Sequence, residues 1–127
     1  MWNLLLVAGG GATGAVLRYV LGAQAMRAFG TGWPYGTLIA NVAGGFLMGM
    51  LAGVLALRGG ADQERWRLLL GVGVLGGFTT FSAYSLEVAL MVERREWSSA
   101  IVYSLGSVLL SIAALFLGLL LVRRVLA

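Results

Sequence analysis

Four long apolar runs, separated by short polar interruptions, set the rhythm of this chain. They cover about residues 2–25, 35–57, 68–92 and 98–122. Each can cross a bilayer core, which takes about 20 apolar residues in a helix. The runs are continuous rather than alternating, so they predict helices and not the strands of a barrel. The expected fold is an all-α integral membrane protein, one domain over residues 1–127 with four transmembrane helices. Between the runs lie Arg27 to Pro34, Arg58 to Arg67 and Glu93 to Trp97, and Arg123 and Arg124 follow the last run. Pro34 stands where a helix start tolerates proline. Trp33 and Tyr35 fit an interfacial aromatic belt. No Lys or Arg precedes Arg18, and the first run outlasts a secretory signal, so it reads as a retained span.

The polar residues inside the runs are few and patterned. The third run holds GGFTTFSAYSLE, residues 76–87. Two glycines followed by hydroxyl residues predict a helix break near mid-membrane, because each glycine costs about 1 kcal/mol against alanine. Open backbone at that depth persists only inside protein or against a wet cavity. This stretch is therefore the candidate site; a glycine-rich packing helix with back-bonded hydroxyls is the competing reading. In the second run Asn41, Gly45, Gly49 and Gly53 share one stripe. Asn41 serves either as glue between helices or as a pair of N–H donors for an anion. In the fourth run Tyr103, Ser107 and Ser111 recur every four residues and form a file of hydroxyls, with Ser104 one residue off the line. Gly10 and Gly14 form a small face for close helix approach. Arg18 follows on that face, either snorkelling to the interface or holding a fixed charge in an aqueous mouth. A charged Glu87 requires an aqueous vestibule, an arginine or a place near the interface.

Composition narrows the chemistry. The chain is 60% hydrophobic and 11% charged, with no cysteine and no histidine. Disulfides, thiol nucleophiles, cysteine-ligated metals and histidine bases are excluded, so enzymatic function is not expected. All nine basic residues are arginines at span ends and in loops, which suits membrane anchoring rather than nucleic-acid binding. Five arginines fall on the side of the second loop and the C-terminus, against three or four on the other. So weak a bias permits insertion in both orientations. Two opposed copies can then pair about an axis in the membrane plane, with a site near the midplane.

GATGAVLRY before and around Arg18, GTLIANVAGG around Asn41, and GGFTTFSAYSLE together resemble the Fluc, or CrcB-type, family of small fluoride channels. The resemblance spans essentially the whole chain, and the third motif is the most specific. It implies an antiparallel, dual-topology homodimer with two pores that exports fluoride passively across the cell membrane. It implies a structural sodium ion at the dimer centre, held by the backbone carbonyls of Gly76 and Thr79 from both protomers. It implies a pore lined by Asn41, Phe81 and Tyr84 and by the track of Tyr103, Ser107 and Ser111, with Arg18 and Glu87 at positions the family keeps. Tyr84 stands where the family usually has phenylalanine, and Ala83 where some members have threonine. Fluoride holds its water tightly, and amide and hydroxyl donors can replace that shell. Aromatic ring edges are positive and can face an anion. Glu87 would be protonated, paired with an arginine, or ordering water. The alternative is a small multidrug-type, dual-topology, proton-coupled transporter, which would need a glutamate in its first span; this chain has none there.

Overall fold

The computed structural model describes residues 2–30, 33–58 and 60–126. Helix α1 spans Trp2–Phe29 and α2 spans Tyr35–Arg58. After a 3₁₀ turn at Gly60–Asp62 come the short α3 (Gln63–Trp66), a π-helical segment (Arg67–Leu75) and α4 (Gly76–Phe78). Helix α5 covers Ser82–Glu93 and α6 covers Trp97–Leu126. Four helical stretches are long and apolar enough to cross a membrane: Trp2–Phe29, Tyr35–Arg58, Gly60–Glu93 and Trp97–Leu126. The chain is a multi-pass membrane protein.

Little apolar side-chain surface is buried within the protomer. Leu105, Leu109 and Phe116 of α6 are each more than half exposed. That inverts the logic of a water-soluble fold, because lipid tails solvate these side chains and exert no hydrophobic push between helices. Backbone proximity holds the helices instead. A Cβ on Gly49 would meet the Leu115 carbonyl, and one on Gly118 would meet the Phe46 carbonyl, so α2 and α6 touch main chain to main chain. On the other flank, a Cβ on Gly10 would sit 2.9 Å from the Gly73 Cα, and one on Gly14 would strike the Val74 carbonyl. Helix α2 thus sits between α6 and α1, and α1 carries the π-helical segment and α4.

Helix α5 returns along α6 through a tight loop. Tyr84, Val88 and Met91 recur at helical spacing and pack with Ala100 and Tyr103. The loop closes with Arg95 at φ 60°, its amide donating to the Val92 carbonyl and the Glu96 amide to the Met91 carbonyl. This is the Schellman pattern, with arginine where glycine is usual.

Trp33, at the end of the first loop, packs on α6. It stands edge-on to the Tyr103 ring, with centroids 5.1 Å apart.

Candidate functional site

The glycine pair in the third span does not itself unwind. Gly76 is helical (φ −62°, ψ −38°), and helical geometry is left three residues later, at Thr79 (φ −85°, ψ 162°). The cause lies across the structure, on α2. The Thr80 amide, which a continuing helix would give to the Gly76 carbonyl, donates to Asn41 Oδ1 at 3.0 Å. Asn41 Nδ2 donates in return to the Thr80 carbonyl at 3.2 Å. Three residues further, the Ala83 amide donates to Thr80 Oγ1 at 3.2 Å instead of to the Thr79 carbonyl. The carbonyls of Gly76 and Thr79 thereby lose their usual helical donors. Free backbone oxygens suit a hard cation such as sodium, so these two residues fit the ligand set that the resemblance implies. Thr79 is held from both sides, its hydroxyl returning to the Leu75 carbonyl at 3.0 Å and its methyl seated on Gly44.

Around this segment lies a cavity of about 400 Å³ between α2, residues 75–84 and α6. Asn41, Gly76, Thr79, Phe81, Tyr84, Ser107 and Ser111 all line it. Seven expected site residues from three spans therefore meet on one wall. Thr80 lines it too, and the rest of the lining is glycine and apolar side chains, among them Met48, Val108, Ile112 and Leu115. Ser107 is 4% exposed, and its Oγ has no hydrogen-bond partner among the described residues. A buried hydroxyl without a partner carries a desolvation cost of about 1–3 kcal/mol until something bonds it. One Asn41 N–H is committed to Thr80, which leaves the second as its free donor. Phe81 is 76% exposed, so the cavity opens at the outer face of the protomer.

Arg18 and Glu87 belong elsewhere. They line a second cavity of about 590 Å³ at the α1–α2 loop, together with Thr37 and Arg94. Among the described residues, ion pairs join Arg67 to Glu64 and Arg94 to Glu96, and neither includes Glu87. Its partner is the Tyr103 hydroxyl, which donates to Glu87 Oε1 at 3.2 Å. Among the described residues no arginine pairs with Glu87. Tyr103, expected to line the path, is fully buried and lines neither cavity. Its ring lies 5.4 Å from Tyr84, which faces the first cavity, while its hydroxyl reaches Glu87 in the second. The file along α6 thus divides: Ser107 and Ser111 face the first cavity, and Tyr103 joins the two.

Two contributors escaped the sequence reading, and a third, Thr80, lay inside the candidate stretch without a role of its own. Thr80 holds the non-helical step through both its backbone and its hydroxyl. Gly44 forms the seat for Thr79; the stripe through Gly45 passes beside it. Thr37 stands beside Glu87 and Tyr103, one turn before Asn41, and nothing in the local pattern marks it.

The profile of the family described as "CrcB-like protein, Camphor Resistance (CrcB)" matches residues 5–119. The "Fluoride-specific ion channel FluC" of Phenylobacterium zucineum (strain HLK1) is 72% identical over 127 residues, covering 100% of both chains. A protein of the same name from Caulobacter sp. (strain K31) is 64% identical over 125 residues, covering 98% of each chain. Another from Caulobacter vibrioides (strain NA1000 / CB15N) is 62% identical over 127 residues, covering 100% of each.

Proposed function

The chain belongs to the CrcB-like family, and on that premise we propose that it is a fluoride-selective ion channel rather than an enzyme. The observation that carries this reading is the convergence of Asn41, Phe81, Tyr84, Ser107 and Ser111 on one cavity. A free amide N–H and an unpartnered buried hydroxyl face a passage lined largely with apolar groups. Such a passage offers a small anion replacement donors for its water. The full-length identity to proteins named as fluoride-specific channels supports the same ion.

The finer picture follows from this reading. Two protomers in opposite orientations form the working unit, each cavity closing against the partner where Phe81 is exposed, which gives two pores. The departure from helical geometry at Thr79 is the mid-membrane break of the third span. The Gly76 and Thr79 carbonyls of both protomers hold a structural sodium ion at the centre. That ion supplies a fixed positive charge beside the anion paths. Asn41, Ser107 and Ser111 bind and pass the anion, and the edges of Phe81 and Tyr84 wall the path. The second cavity, with Arg18 and Glu87, is the vestibule, and fluoride leaves the cell passively down its gradient.

The deciding experiment is anion efflux from liposomes containing the purified protein, loaded separately with fluoride and chloride. Fast fluoride efflux without chloride efflux, weakened in Asn41→Ala and Phe81→Ile, is the expected result. Absence of fluoride efflux from correctly folded dimers would overturn the proposal.

A further inference from the structure

Tyr84 carries a group that the anion path does not use directly. Its hydroxyl donates to the backbone carbonyl of Ser104 on α6 at 3.2 Å. Its proton is therefore committed to main chain rather than to an anion. Tyr84 also sits inside a row of rings. Phe81 lies 5.5 Å away at 45°, and Tyr103 lies 5.4 Å away at 44°, with Trp33 edge-on beyond it. The row is unevenly supported. Tyr103 is fully buried and bonded to Glu87, whereas Phe81 is largely exposed. Tyr84 links the fixed end to the loose one, and its tip is tied to a helix backbone, the least yielding anchor available.

We propose that the Tyr84 hydroxyl is a positioning group that fixes the aromatic wall of the anion path, and thereby sets its exclusion of anions larger than fluoride. This rests on the channel reading above. A larger anion can pass only if the wall yields, and yielding at Tyr84 means breaking the bond to Ser104. Fluoride is small enough to pass with the bond intact. The hydroxyl thus acts through the ring and its placement, not as a ligand. Replacing it with hydrogen keeps the ring and removes the tie.

The test compares wild type, Tyr84→Phe and, as a control, Trp2→Phe, which trims an exposed ring at the start of α1 that lines neither cavity. Each is reconstituted in liposomes loaded with fluoride or with chloride, and each is checked for dimer size and thermal unfolding in detergent. The expected result is a chloride-to-fluoride efflux ratio raised about two- to tenfold in Tyr84→Phe, the range for losing one neutral hydrogen bond. Trp2→Phe keeps the wild-type ratio. An unchanged ratio in Tyr84→Phe overturns the inference. So does a fall in fluoride efflux at constant ratio, which would make the hydroxyl a ligand, and so does misfolding of Tyr84→Phe alone, which would make the bond merely structural. Wild type without fluoride efflux would instead overturn the channel reading, so the two failures are distinguishable.

Discussion

Asn41 and Thr80, thirty-nine residues apart, are joined by two hydrogen bonds that together close a ring: the Thr80 amide to Asn41 Oδ1, and Asn41 Nδ2 to the Thr80 carbonyl. A side-chain amide presents a donor and an acceptor side by side, as a peptide unit does. It can therefore take over both backbone groups of a residue that has left its helix. In a bilayer those groups have no water to fall back on. Asn41→Ala is expected to leave the Thr80 N–H and C=O without partners, at about 1–3 kcal/mol for each group. Fluoride efflux and the thermal unfolding midpoint in detergent should fall together. A variant that lost efflux at full stability would show that the clasp is dispensable to the fold.

Thr80 also secures the start of α5 through its hydroxyl, which accepts the Ala83 amide. Thr80→Ser keeps that oxygen, whereas Thr80→Val keeps the shape and loses the acceptor. The valine variant should be less stable by about 0.5–2 kcal/mol, the usual range for a lost cap, and the serine variant close to wild type. Unfolding of the two proteins side by side in the same detergent is the measurement.

The glycines are not equivalent. Alanine at Gly49 would press against the Leu115 carbonyl, a backbone atom that cannot swing aside. Overpacking of this kind costs about 1–3 kcal/mol, so Gly49→Ala should lower stability and folded yield. At Gly9 an added methyl meets nothing within 4 Å. There the gain in helix propensity should prevail, and Gly9→Ala should raise stability by about 0.5–1 kcal/mol. Equal effects at the two sites would contradict the packing described.

Arg95 occupies the left-handed region at φ 60° while it terminates α5. For a residue with a Cβ this costs roughly 1–2 kcal/mol, and glycine avoids that cost. Arg95→Gly is expected to raise the unfolding midpoint without disturbing the two bonds that close the loop. A lower midpoint would mean that the arginine side chain contributes more than its backbone strain removes.

What could be read without the structure follows from the solvent. A bilayer demands long apolar runs, so the four spans and the membrane location were legible in residue order alone. Polar residues are costly there, so the few inside the runs stood out: Asn41, the stretch from Thr79 to Tyr84, and Ser107 with Ser111. Their gathering around one cavity was not legible, because it depends on which helices touch. The contacts at Gly10, Gly49 and Gly118 decide that, and each is an approach between two distant backbones. For the same reason local propensity marked the stretch 76–87 but not the residue, Thr79, at which helical geometry is left. Local propensity sees two poor helix formers, whereas the backbone is captured three residues later by a side chain on another helix. Tyr103 reads as one more member of a hydroxyl file. Only packing against Tyr84 and Glu87 makes it the link between two cavities, since periodicity reports which face a residue occupies and not what stands opposite.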